Sequence, residues 1–151
     1  MSLKVHQPSP DIYLPSTNGN HFKLSRDLAN QPVIIYFYPK DFTPGCTQEA
    51  CSFRDAFSVF RNLNITVVGI SRDSVETHQK FKKQHQLPFE LLSDRDGSVA
   101  KKYGALVPFL KVVRRVTYLL DANHKIAAVY EDMFGAEKHI QQMVKAVQKS
   151  V

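Results

Sequence analysis

The sequence predicts an α/β fold in which helices flank a mixed central β-sheet and a β-hairpin precedes it. Three features indicate this. The apolar run at 33–38 has the composition of a central strand covered on both faces. Strand and helix patterns then alternate, which requires parallel neighbours. Two β-rich runs that flank a turn at 121–124 predict antiparallel strands at one edge.

The first half of the chain is read from turn residues and apolar spacing. Gly19 and its Asn neighbours supply a hairpin turn, and apolar residues after Gly45 recur every three or four positions. The predicted elements are hairpin strands within 8–14 and 21–24, a helical turn at 25–29, a strand at 32–38, a helix from Gly45 to about Leu63 and a strand at 64–71.

In the second half, Asp73 is predicted to cap the next helix, with Glu76 as its capping-box partner. His78 is expected to pack or hydrogen-bond on this helix and not to act as a base. The later elements are an extended segment at 89–94, a brief helix at 98–103, strands within 112–121 and 125–130, and a helix from about Ala136.

Composition indicates an ordinary globular protein. The chain has 151 residues, 43% of them hydrophobic and 23% charged, so a single domain over 1–151 is expected and disordered or fibrous classes are excluded. No apolar run reaches the length of a membrane span, and the first ten residues lack a signal-peptide core. We therefore expect a cytoplasmic protein without a membrane partner.

The net charge of +6 is spread over short basic clusters without interleaved aromatic residues. Most of it is interpreted as solvated surface, and no nucleic-acid partner is predicted.

The two cysteines, Cys46 and Cys51, lie too close together to act as a structural staple. In a cytosolic protein such a pair indicates metal or redox chemistry. A zinc site needs about four ligands, and the six histidines are scattered without ligand spacing. Redox chemistry is therefore favoured, with no metal and no cofactor.

Cys46 falls where the buried strand turns into the first turn of a helix. Unpaired backbone N–H groups and the helix dipole stabilise a thiolate there. On the helical stripe shared with Ala50 and Phe53, Cys46 should point inward toward the sheet. A reactive cysteine at this point of a mixed sheet is the layout of a thioredoxin-like fold.

The motif Pro39-x-x-x-Thr43-x-x-Cys46 resembles the active-site signature of the peroxiredoxins. The fuller segment 43–51 is similar to their bacterioferritin comigratory protein (Q-type) subfamily. Similar segments follow in order along the chain, at 9–12, 69–74, 87–94, 103–104 and 115–121. The stretch 105–113 is shorter than the family usually has.

The resemblance implies a thiol-dependent peroxidase that reduces hydrogen peroxide and organic hydroperoxides in antioxidant defence. Cys46 would be the peroxidatic cysteine and Cys51 the resolving one, with an intramolecular disulfide recycled by a thioredoxin-type reductant. A monomer or weak homodimer is expected. The resemblance also places a required cation at Arg115. Strand parity sets Arg115, with Thr117, on the face opposite Arg114.

Ionisation of the thiol alone is too small an effect for a fast peroxidase. A thiol with the ordinary pKa of about 8.5 is roughly 3% ionised at neutral pH, so complete ionisation gains only about 2 kcal/mol. Hydrogen-bond donors around the reacting oxygens must supply most of the rest. Thr43 and the backbone N–H groups near Cys46 are candidates, and Pro39 restricts the loop around them. Glu49 either orients the site or is simply a helix-terminal charge.

Cys51 lies five residues after Cys46. On an intact helix this spacing separates the Cα atoms by roughly 8.7 Å, whereas a disulfide requires less than about 7 Å. We therefore expect Cys46 to be oxidised to a sulfenic acid, the first helical turns to unwind, and Cys51 to attack.

Two alternatives remain open from the sequence. One is a thiol–disulfide oxidoreductase or glutathione-peroxidase-like protein on the same fold, although the spacing here differs from Cys-x-x-Cys. The other is a basic binding or holdase protein in which the cysteine pair is structural. The second predicts that Cys46→Ser leaves function unchanged.

Overall fold

A computed structural model describes residues 2–149. A five-stranded mixed sheet has helices on both faces, and a separate two-stranded antiparallel hairpin precedes it, which confirms the predicted fold class. The elements are β1 (Tyr13–Pro15), β2 (His21–Lys23), α1 (Leu24–Asp27), β3 (Val33–Phe37), α2 (Pro44–Asp55), α3 (Phe57–Asn62), β4 (Thr66–Ser71), α4 (Val75–His85), β5 (Glu90–Ser93), α5 (Ser98–Lys102), β6 (Val116–Leu120), β7 (Ile126–Glu131) and α6 (Ala136–Lys149).

The strand order β5-β4-β3-β6-β7 places the longest apolar run at the centre. Strand β3 is parallel to β4 and antiparallel to β6, with Phe37 opposite Val116. The carboxyl end of β3 and the amino end of β6 therefore lie at the same edge of the sheet. The loop that leads to Cys46 leaves β3 there, and Arg115 directly precedes β6.

The two faces of the sheet build two separate cores. Ile34 and Tyr36 of β3 pack with Cys46 beneath α2 and α6. Ile35 and Phe37 point the other way, toward α5 and the N-terminal hairpin. In β6, Leu119 belongs to the Cys46 core while the residues on either side of it face the opposite core. Every residue of β3 is buried, as its apolar composition predicts for a doubly covered strand.

The prediction of one continuous helix from Gly45 to about Leu63 is wrong. The segment is two helices, α2 and α3, separated at Ala56. Ala56 has φ −92° and ψ 2°, and its carbonyl accepts a bond from the N–H of Val59 only three residues on. The apolar spacing concealed this break, because Phe53 and Phe60 recur at helical spacing and are both buried on either side of it.

The predicted cap of α4 is also wrong. Ser74, not Asp73, is the N-cap, and its hydroxyl accepts a bond from the N–H of Thr77 at 3.2 Å. The Asp73 carboxylate accepts instead from the N–H of Asp41 and the hydroxyl of Ser71. Asp73 therefore joins the loop before Cys46 to the end of β4.

No helix within residues 2–149 has the length and apolar character needed to cross a bilayer.

Candidate active site

Cys46 is the third residue of α2 and only 1% exposed. Thr43 adopts extended dihedrals at the N-cap, and Pro44 occupies the first helical position, where its missing N–H costs nothing. The thiol therefore lies in the first turn, where backbone N–H groups have no intrahelical acceptor. The prediction that Cys46 points inward is confirmed, since it packs in the core beneath α2.

Arg115, the residue directly before β6, reaches the thiol. Its Nη2 lies 3.3 Å from Cys46 Sγ, its Nη1 donates to Glu49 Oε1 at 2.6 Å, and its Nε donates to the carbonyl of Met133 at 3.0 Å. The residue is 6% exposed, so it is not a solvated strand charge. Arg114 turns to the opposite side, where it pairs with Glu131.

Gly45 permits this approach. A Cβ added at Gly45 would lie 3.1 Å from Nη2 of Arg115, closer than most side-chain contacts allow. Three hydrogen bonds hold the guanidinium, so it has little freedom to retreat. The absent side chain at Gly45 thus sets the distance between the cation and the sulfur.

Glu49 is fully buried on the turn of α2 that follows Cys46. Burial raises the pKa of its carboxyl to about 8, and the neighbouring Arg115 opposes part of that rise. Within residues 2–149, Oε2 has no hydrogen-bond donor and lies 3.7 Å from Nδ1 of His139. Glu49 is therefore part of the site and not a solvated charge at a helix end.

His139 of α6 closes the site behind Glu49. Its Nε2 lies 2.8 Å from the carbonyl of Asp132 and its Nδ1 lies 2.8 Å from the hydroxyl of Thr117. The carbonyl accepts only, so Nε2 carries the hydrogen and Nδ1 accepts from Thr117. Burial lowers the pKa of His139, and the positive charge of Arg115 lowers it further. Burial therefore favours the neutral ring, and the hydrogen bonds to Thr117 and Asp132 fix its orientation.

The loop between β3 and α2 is held by its own polar groups. Thr43 is partly buried and donates its hydroxyl hydrogen to the carbonyl of Lys40 at 2.7 Å. Pro39 is also partly buried, at the point where the chain leaves the sheet. Phe42 adopts a left-handed φ of 62° and lays its ring edge-on against Phe81 of α4. The turn thus lifts Thr43 and Cys46 over the end of β3.

A buried polar network supports the same loop from below. Asp41 accepts from Tyr38 at 2.6 Å and lies 2.5 Å from Nδ1 of His78, whose Nε2 donates to the carbonyl of Leu92 at 3.0 Å. His78 is fully buried, as expected for a residue that packs and hydrogen-bonds. This network ties the loop to β5 and α4.

Cys51 is a free, partly exposed thiol, and Cys46 is likewise free. Both lie on the uninterrupted helix α2. The site therefore has the reduced, helical arrangement in which the two sulfurs are held apart.

The predicted site residues separate into three groups. Cys46, Arg115 and Glu49 converge, Thr43 and Pro39 shape the loop above them, and Cys51 stands apart on the same helix. His139 and Asp41 were missed. A lone histidine in the C-terminal helix and an aspartate in a Pro-Lys-Asp-Phe turn carry no periodic signal, and only their burial reveals them.

The cavity of about 740 Å³ lies at the opposite edge of the sheet and does not coincide with this site. Its lining includes Pro32, Thr66 and Pro88, which lie at or just before the amino ends of three strands. Cys46 follows the carboxyl end of β3 instead. A small substrate that reacts with one sulfur does not need a large cavity, so geometry and chemistry locate the site better than volume does.

Comparison with known proteins agrees with this geometry. The AhpC/TSA family model matches residues 5–129. The chain belongs to the peroxiredoxins. A Coxiella burnetii protein that carries the peroxiredoxin name bcp is 43% identical over 150 residues, which cover 95% of this chain and 98% of that protein.

Solved peroxiredoxins share the fold. The structure of the peroxidoxin BcpB from Mycobacterium tuberculosis matches with a TM-score of 0.91 at 33% identity, covering 97% of each chain. The Xanthomonas campestris bacterioferritin comigratory protein, solved in work on its alkyl peroxide reduction, matches with a TM-score of 0.85 at 26% identity over 97% of this chain and 99% of that one. These relatives confirm the Q-type resemblance and a thiol-dependent peroxidase.

Proposed function

We propose that Cys46 is the nucleophile of this peroxidase and that Arg115 is its essential cation. The observation that carries the proposal is the 3.3 Å contact between Arg115 Nη2 and Cys46 Sγ. A guanidinium at this distance stabilises the thiolate. It also remains in place to donate a hydrogen bond to the peroxide oxygen that the sulfur attacks. The thiolate attacks one peroxide oxygen, the O–O bond breaks, and the leaving oxygen takes a proton.

The oxygens are positioned by groups already in place. Arg115 and the first-turn N–H groups of α2 donate to the developing negative charge. The hydroxyl hydrogen of Thr43 is used by Lys40, but its oxygen keeps lone pairs that accept the O–H of a peroxide. Pro39 restricts the backbone of the loop. Glu49 orients the guanidinium, His139 lies against Glu49, and neither touches the substrate.

The rim of the site favours organic hydroperoxides as well as hydrogen peroxide. Phe42 is 45% exposed on the loop before Cys46, and Met133 and Phe134 are exposed beside the carbonyl that holds Arg115. Apolar surface next to a reactive sulfur binds the carbon chain of a hydroperoxide while its oxygens meet the cation.

Resolution is assigned to Cys51. Its thiol condenses with the Cys46 sulfenic acid, giving an intramolecular disulfide and water, after the first turns of α2 unwind. A thioredoxin-type reductant then restores both thiols. We further propose that the chain acts as a single cytoplasmic domain over 1–151, as a monomer or weak homodimer; positions 1, 150 and 151 lie outside the described residues.

Peroxide turnover coupled to thioredoxin and its reductase tests this proposal, with the wild type, Cys46→Ser and Cys51→Ser compared. Cys46→Ser should abolish turnover, and Cys51→Ser should reduce about one equivalent of peroxide and then stop. Full turnover by Cys46→Ser would remove the nucleophile assignment. Sustained wild-type turnover by Cys51→Ser would remove the resolving assignment alone.

A further inference from the structure

We propose that His85 is the base that removes the thiol proton of Cys51 and so generates the thiolate needed for the resolving step. The proposal rests on the resolving role of Cys51 given above. Cys51 lies about two turns into α2, beyond the first turn in which a helix terminus stabilises a thiolate. Arg115 is committed to Cys46 and Glu49. Cys51 therefore needs a base of its own.

His85 is placed to supply it. Its Nδ1 lies 3.8 Å from Cys51 Sγ, within hydrogen-bond reach of a sulfur, and both residues are partly exposed. When the neutral ring carries its hydrogen on Nε2, Nδ1 is free to accept the thiol proton. This contact joins two helices across 34 positions of sequence.

The ring is held in this position and not left loose at the surface. His85 is the last residue of α4, and its ring packs edge-on against the buried Phe81 at 4.9 Å between centroids. Arg54, three residues after Cys51 on α2, donates from Nη1 to the carbonyl of His85 at 2.8 Å. The same helix that carries the thiol thus anchors the residue that deprotonates it.

Charged residues of both helices flank Cys51 and His85, and most of them are ion-paired. On α2, Arg54 is ion-paired with Asp55. On α4, Lys82 is paired with Glu90, and Lys83 lies in the same last turn.

The chemistry balances without any outside oxidant. The proton passes from Cys51 Sγ to His85 Nδ1, and the first turns of α2 unwind. The Cys51 thiolate then attacks the sulfur of the Cys46 sulfenic acid, the S–S bond forms, and the S–O bond breaks. The hydroxide that leaves takes up the proton held by His85, so the products are the disulfide and one water molecule.

Alkylation of Cys51 by iodoacetamide tests the proton transfer without any peroxide chemistry. In a Cys46→Ser background Cys51 is the only thiol. His85→Gln should slow its alkylation at pH 7 on the order of tenfold, and the difference should vanish at pH 10, where a thiol ionises unaided. His21→Gln, on the hairpin, is the control and should match the parent. Equal rates at pH 7, or an equal deficit at pH 10, would overturn the proposal.

A second measurement follows the resolving step itself. One equivalent of hydrogen peroxide is added to the chain with both cysteines, and dimedone traps the Cys46 sulfenic acid at timed intervals. His85→Gln should lengthen its lifetime on the order of tenfold, while His21→Gln should not. An unchanged lifetime contradicts the role of His85. If the Cys46 sulfenic acid disappears as fast in Cys51→Ser as in the wild type, Cys51 is not the resolving cysteine. The alkylation experiment then still tests the proton transfer from Cys51 to His85.

Discussion

Nη2 of Arg115 lies 3.3 Å from Sγ of Cys46, although 69 positions of sequence separate the two residues. The contact exists because β3 and β6 are antiparallel neighbours, which brings the end of one strand to the beginning of the other. The guanidinium is then fixed by Glu49 and by the carbonyl of Met133. Sheet topology thus assembles a cation and a helix N-terminus around one sulfur.

Arg115→Lys should lower the second-order rate constant for peroxide by about 10²–10³, because a lysine cannot reproduce the fixed fork of donors. Stopped-flow measurement of Cys46 oxidation gives this constant. Arg114→Lys is the matched control, since Arg114 pairs with Glu131 on the other side, and it should react at nearly the wild-type rate. Both substitutions keep the positive charge, so equal losses in the two variants would mean that the contact between Arg115 and Cys46 is not the cause.

Gly45→Ala should separate activity from stability. The new Cβ would meet Arg115 Nη2 at 3.1 Å and push the guanidinium from the sulfur, so we expect a rate about tenfold lower. The better helix propensity of alanine opposes the strain on the bonds from Arg115 to Glu49 and Met133, so stability should change by less than about 1 kcal/mol. The same stopped-flow assay and a thermal melt measure the two effects. A wild-type rate would show that the close approach at Gly45 is not required.

Because Glu49 is buried, the free energy of unfolding of the protein should fall as the pH rises. The Glu49 pKa of about 8 in the folded chain lies above the ordinary value of 4.5, so the folded state binds the extra proton. Its stabilising contribution is complete below pH 4.5 and is lost as the pH rises through 8. Between pH 7 and pH 9 the loss is on the order of 1 kcal/mol. Urea denaturation at both pH values should show this extra loss in the wild type and not in Glu49→Gln.

Two neighbouring tyrosines should respond oppositely to the same substitution. The Tyr36 hydroxyl is buried without a hydrogen-bond partner within residues 2–149, whereas the Tyr38 hydroxyl donates to Asp41. Tyr36→Phe should therefore stabilise the protein by about 1 kcal/mol, and Tyr38→Phe should destabilise it by about 1–3 kcal/mol. Thermal melts compare them. Destabilisation of similar size in both would indicate that Tyr36 has a polar partner.

Local sequence signals located Cys46 in the fold correctly. The apolar strand that ends before Pro39 and the helical stripe after Gly45 place Cys46 in the first turn of a helix, as observed. Strand parity separated Arg115 from Arg114. Parity could not identify the face that meets Cys46, because that depends on which strand pairs with β3.

Signals that depend on tertiary contacts were missed or misread. Asp73 has the spacing of a helix cap, but Asp41 and Ser71 occupy its carboxylate, and Ser74 caps the helix. His139 joins the site because α6 packs on α2, a long-range contact that its own sequence neighbours do not encode. Such contacts are decided by packing, not by periodicity.

The most direct test of the peroxidatic and resolving pair follows one equivalent of hydrogen peroxide by intact mass and far-UV circular dichroism. The wild type should lose two hydrogens and part of its helical signal, because a disulfide between Cys46 and Cys51 cannot form on an intact α2. Cys51→Ser should instead gain one oxygen and keep its helicity. A wild-type chain that consumes peroxide yet keeps full helicity, with no loss of two hydrogens, would contradict the conformational switch.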